Sequence, residues 1–152
     1  MQYYKLFKFS LVWILFLLIF TINTAYASNT IADIYSTVTP RQKMGTLSFT
    51  ENSNGVIIQP YLNNLTPGIH GLRLLTINNC NNKLANNGIH GKVLPPLSVN
   101  EQGSAQQPIL AQELKLNNFI NHTLIIYEDW KNIPSQDFPF AAGKIIACGK
   151  II

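Results

Sequence analysis

Downstream of residue 28 the chain alternates apolar and polar positions with a period of two, and no stretch carries the 3.6-residue apolar stripe of a helix. Residues 44–51 carry the clearest alternation: Met44, Thr46, Ser48 and Thr50 fall on one side, and Gly45, Leu47, Phe49 and Glu51 on the other. Residues 31–38 predict a preceding strand, with the polar run 39–43 as the connection. Asn54-Gly55 predicts a hairpin turn, because both residues tolerate positive φ, and residues 56–61 return as the partner strand. The three segments are expected to form an antiparallel meander.

Further along, Thr66-Pro67-Gly68 marks a turn before a strand through 72–77. Pro95-Pro96 interrupts the next apolar patch, so 94–99 can only be a short or edge strand, since proline cannot donate to a ladder. A turn at 100–103 leads into alternation on both sides of Pro108, over 104–116. Residues 123–127 form a β-branched apolar run suited to a buried strand, and 145–148 supply the last one. Seven or eight short strands between Gly, Pro and Asn turns predict an all-β sandwich or flattened barrel.

The first 27 residues break the pattern. Lys5 and Lys8 precede an apolar run at 11–20, and Ala25-Tyr26-Ala27 follows as a small-x-small site, which reads as an export signal cut after Ala27. The competing reading is a membrane anchor, but an anchor needs about 20 apolar residues, and Ser10, Thr21 and Asn23 interrupt this run. Residues 28–152 then form one domain. Without Lys5 and Lys8, nine Lys or Arg face seven Asp or Glu, so much of the basic character belongs to the signal. No basic cluster is interleaved with aromatics, so no nucleic-acid surface is expected. Once the signal is cut, nothing remains for a membrane to hold. Both cysteines, Cys80 and Cys148, lie in the exported part, where an oxidising compartment favours a disulfide over two buried thiols. The expected location is the periplasm or the exterior of a bacterium.

Five segments occur together in an order and spacing that resembles a known family. They are Gly45-Thr46-Leu47 with its hairpin, Pro67-Gly68-Ile69-His70-Gly71, Leu94-Pro95-Pro96-Leu97-Ser98-Val99-Asn100, Thr123-Leu124-Ile125-Ile126 and Ala147-Cys148-Gly149. From residue 31 to 152 the chain is similar to the exported Cu/Zn superoxide dismutases. The resemblance implies a Greek-key β-barrel of about eight antiparallel strands, with copper and zinc under two long loops and a disulfide that is again Cys80–Cys148.

By the same resemblance, the metal ligands are missing. The two copper histidines of the strand after the G-x-H-G turn correspond to Arg73 and Leu75, two apart and so on one face. The third corresponds to Tyr127. None of these three suits copper. The zinc loop shrinks to residues 81–89. His90 matches a zinc histidine, but the aspartate ligand after it is Val93, and one imidazole is not a zinc site. The aspartate that braces the ligands aligns with Trp130 or Lys131. The channel arginine, whose field steers the substrate in the family, corresponds to Ile145, with Lys144 beside it on the opposite face. No cofactor is therefore expected, although the family uses copper and zinc.

Of the histidines, His70 matches the family's structural one, His90 is a ligand remnant, and His122 reads as a surface residue. A copper-only branch that drops the zinc loop would still keep its copper histidines, which this chain lacks. Glu128 and Asp129 are adjacent at a strand end and would diverge. Trp130, Phe138 and Phe140 would cap the barrel or present a binding patch. Two functions remain. One is a metal-free, non-catalytic module that binds an unknown protein or small ligand at the remodelled face, with a homodimer left open. The other is a divergent dismutase or copper-binding protein using His90, His122 and Tyr127.

Overall fold

The computed structural model describes residues 29–76, 80, 91–132 and 143–152. The signal segment, His90, the loop 81–89, Phe138 and Phe140 lie outside the described residues. Eight strands form: β1 Asn29–Ser36, β2 Lys43–Asn52, β3 Gly55–Leu62, β4 Gly68–Leu75, β5 Gly91–Val99, β6 Ile109–Gln112, β7 Thr123–Tyr127 and β8 Ile145–Lys150. They pair antiparallel in one sheet of order β5-β4-β7-β8-β1-β2-β3-β6. The end strands β5 and β6 approach each other without a ladder, so the barrel is nearly closed. The first three strands are the expected meander. From β3 the chain crosses to β4, β6 returns to pair with β3, and β7 slots between β4 and β8, a Greek-key connection.

Alternation places Ala32, Ile34, Leu47, Phe49, Leu72, Leu74, Leu124 and Ile126 inside the barrel, all 4 % exposed or less. The segment after β6 turns one end of the barrel inward. There a 3-10 turn at Leu116–Asn118 delivers Phe119, whose ring centroid lies 5.2 Å from that of Phe49. Gly45 is required where it stands: its φ is +139°, and a Cβ would run into the Tyr61 carbonyl oxygen across the β2–β3 ladder.

Four segments differ from the sequence expectation. The β2–β3 turn is centred on Ser53-Asn54, held by the Asn54 N–H donating to Asn52 Oδ1 at 2.8 Å, and Gly55 alone takes positive φ as it opens β3. β4 begins at Gly68, four residues early, because the Gly68–His70 backbone pairs with β5. β5 is the expected edge strand but starts at Gly91, three residues early; the ladder skips Pro95 and Pro96 at a register shift, so their missing N–H groups cost nothing. The alternation over 104–116 gives only β6 and one bridge at Ala105, because Pro108 cannot donate and Leu116 enters the 3-10 turn.

Candidate functional site

β4, β7 and β8 are neighbours, and the side chains they turn away from the barrel interior share one outer face. Ladder partners point the same way, and the pairs here are Gly71 with Tyr127, Arg73 with Ile125, Leu75 with Thr123, and Ile125 with Cys148. The outer face is buried: Leu75 and Tyr127 are 0 % exposed, Ile125 1 %, Cys148 3 % and Arg73 6 %. Leu75, Ile125, Tyr127 and Cys148 make an apolar cluster separate from the barrel core, with Cys80 and Ile145 packed against it. The disulfide Cys80–Cys148 pins the chain beyond β4 to β8 at this cluster.

Arg73, Leu75, Tyr127 and Ile145, remote in sequence, therefore meet on one face. Val93 joins its rim, opposite Arg73 on β5 and 46 % exposed. The Arg73 Nη2 donates to the Gly91 carbonyl oxygen at 3.5 Å, a long contact. The Tyr127 hydroxyl is buried with no hydrogen-bond partner among the described residues. Burial raises its pKa above the ordinary tyrosine value, and the neighbouring Arg73 guanidinium works against that rise by its charge and by a weak side-chain hydrogen-bond interaction.

His70 lies on the other face of β4, 2 % exposed and opposite Leu97. Its Nδ1 is 3.1 Å from the Tyr127 carbonyl oxygen and its Nε2 2.7 Å from that of Thr66, so the imidazole ties the β3–β4 turn to the end of β7. Both partners are acceptors, and whichever nitrogen carries the proton donates. His122 is half-buried, its Nδ1 2.9 Å from the Ile120 carbonyl oxygen. Lys144 pairs with Glu128 at 3.0 Å, while Asp129 Oδ1 accepts from the Lys131 N–H at 2.9 Å, so the two carboxylates diverge. Trp130 is 46 % exposed with the Lys131 ammonium 5.9 Å from its ring centroid; it stands at the rim rather than forming a buried cap.

Ile125 and Thr123 belong to this face, although the sequence marks them only as part of a buried strand and not as site residues. The alternation that singles out Tyr127 also marks them, two and four residues earlier. Arg73, Leu75 and Tyr127 do not fit copper: a guanidinium has no lone pair to give, a leucine no donor atom, and a neutral phenol is a poor partner for a soft site. Among the described residues no group of three His, Cys, Asp or Glu could hold a metal ion. No helix of the described residues is long and apolar enough to cross a membrane.

No protein-family model matches the chain. A superoxide dismutase [Cu-Zn] of Legionella pneumophila is 30 % identical over 150 residues, spanning 85 % of this chain and 90 % of its own. Another, from Pasteurella multocida, is 32 % identical over 138 residues, 72 % of this chain and 74 % of its own. The solution structure of the monomeric copper, zinc superoxide dismutase of Salmonella enterica superposes with a TM-score of 0.67 at 25 % identity, covering 82 % of this chain and all of that one. Identity at this level across most of both sequences, joined to a common eight-stranded barrel, means that the chain belongs to the Cu/Zn superoxide dismutase family.

Proposed function

We propose that this protein is an exported family member whose metal centre has been dismantled, and that it serves as a non-catalytic binding or structural module. One observation carries the reading. Where the resemblance puts copper ligands, Arg73, Leu75 and Tyr127 are buried on one face, two of them inside an apolar cluster. A face that must admit copper and a small anion needs donors and access, and this one has neither the donor set nor the exposure. Ile145 in the same cluster replaces the channel cation, and Lys144 is engaged with Glu128. Export to the periplasm rests on the N-terminal signal and on the bacterial sources of the relatives. The partner is a protein, a second copy of this chain or a small ligand, met at the rim of the remodelled face.

The test is to purify the protein from cells supplied with copper and zinc and measure bound metal and superoxide turnover on the same sample. Substoichiometric copper and no turnover are expected, and stoichiometric copper with turnover overturns the reading. In parallel, Arg73→His, Leu75→His and Tyr127→His combined should create Cu(II) affinity that three histidines placed at exposed Ile31, Tyr61 and Lys92 do not. Absence of any gain counts against the assignment of these positions.

A further inference from the structure

A cavity of about 390 Å³ opens at the end of the barrel, between the β1–β2 connection, the β3–β4 connection and the approach to β8. That is within the range of small-ligand sites, about 300–1,000 Å³. It is distinct from the outer face, with the His70 ring as the link between them: the ring contacts Thr66, in the cavity wall, and Tyr127, on the strand of the cluster.

Three features of the wall define what it would take. Its floor is apolar, with Leu65 buried and Met44 and Ile146 packed against the barrel core. Its polar side chains Thr39, Gln42, Asn64 and Thr66 make no hydrogen bond to another described residue, whereas Ser36 beside them is already used, donating to the Val38 carbonyl and accepting from the Gln42 N–H. Its charged residues among those described are Lys43, Lys144 and Glu128, and with Asp33 pairing Lys43 the ammonium and carboxylate groups balance. Lys43 is held by Asp33 at 2.8 Å; Lys144 pairs with Glu128 at 3.0 Å while its side chain is 67 % exposed. Exposed pairs of this kind are weak, so Lys144 can turn to another anion at little cost.

Hydroxyl and amide groups without a partner among the described residues suit a hydroxylated ligand, the weakly held Lys144 ammonium suits a single anion, and the apolar floor suits the C–H face of a sugar ring. We propose that the cavity binds a small hydroxylated monocarboxylate of the sugar-acid class, with its carboxylate at Lys144, its hydroxyls among Thr39, Gln42, Asn64 and Thr66, and its ring on Met44, Leu65 and Ile146. For a ligand of about thirteen non-hydrogen atoms at ordinary efficiency, the dissociation constant is on the order of 1 mM.

The experiment is an amide-resolved NMR titration of the protein, purified as the producing cells process it, with D-glucuronate, D-glucose and acetate. Glucuronate should give saturating shifts confined to the cavity lining. Glucose lacks the charge and acetate the hydroxyls, so each should bind about tenfold more weakly or worse. Lys144→Met and Thr66→Val, both at the surface, should each weaken glucuronate, the first by about tenfold. No saturation by about 20 mM, shifts centred elsewhere, or equal binding of glucose or acetate overturns the proposal. The three-ligand comparison decides on the unsubstituted protein, so it stands even where a variant fails to fold.

Discussion

Replacing Tyr127 by Phe isolates one hydroxyl. Its oxygen is buried on the outer face of β7 without a hydrogen-bond partner among the described residues. In the unfolded chain it is hydrated, so folding strips it of water, and an unpaired buried polar group costs about 1–3 kcal/mol. The Arg73 guanidinium offsets part of that cost through its charge and through a side-chain hydrogen-bond interaction that falls short of full hydrogen-bond geometry. Tyr127→Phe removes the cost and the smaller offset together, so the variant should be more stable by about 1 kcal/mol. In equilibrium urea unfolding, with m of about 1.5 kcal/mol/M, the midpoint should rise by about 0.7 M with m unchanged. The melting temperature should rise by about 3–5 °C. Alkaline pH gives a second readout. Burial raises the phenol's pKa, against Arg73, so the folded state keeps a proton that the unfolded chain has released. The stability contributed is complete below the ordinary value of about 10 and is lost as pH rises past it toward the folded value. Tyr127→Phe should therefore lose stability less steeply above that pH. A variant destabilised by more than about 0.5 kcal/mol at neutral pH would refute the reasoning, because the hydroxyl would then have a partner.

The disulfide closes a loop with a sequence separation of 68, for which chain entropy gives about 4 kcal/mol. Cys80→Ser with Cys148→Ala should lower the melting temperature by about 10–20 °C, and a loss under about 1 kcal/mol in urea unfolding would count against that loop-closure estimate. The Leu116 N–H donates to Glu51 Oε2 at 2.7 Å, and this bond, aided by Lys115, lowers the Glu51 pKa. The stability it contributes is present above the ordinary glutamate range and is lost as pH falls through the folded value. Glu51→Gln should thus flatten the acid limb of a plot of urea midpoint against pH, and an unaltered limb argues that the bond does not persist in solution.

The strands legible in the sequence are those whose two faces meet different surroundings, or whose composition admits one reading. Thr123–Tyr127 emerges with its expected bounds because a β-branched apolar run of five suits little but a buried strand. The alternation of 44–51 fixes which of its residues point inward, and Leu47 and Phe49 are fully buried. Where the pattern misleads, a backbone hydrogen bond decides against it: Pro108 cannot continue a ladder, and Asn52 captures the Asn54 N–H and shifts the hairpin turn by one residue. At the outer face, spacing of two on β4 reveals that Arg73 and Leu75 share a side. That Tyr127 and Ile145 join them depends on β7 lying between β4 and β8, which is a matter of topology and enters only through the family resemblance. The burial of Arg73 and the orphaned Tyr127 hydroxyl depend on three-dimensional packing that no local pattern encodes. The cavity beside Lys144 draws on three separate connections and has no linear signature.

The wall made by β4, β7 and β8 has the barrel core on one side and the Leu75–Ile125–Tyr127–Cys148 cluster on the other. Such a wall behaves as an evolutionary ratchet. A lone imidazole introduced at position 75 or 127 would be buried without the companions that make it a ligand, and would lose packing without gaining a metal. On the proposed reading, every single step toward a coordinating face is therefore uphill, and only several simultaneous changes, together with access from solvent, could build one. Sequence change at this face is therefore channelled toward other apolar side chains of similar volume, which keep both the cluster and the barrel packed.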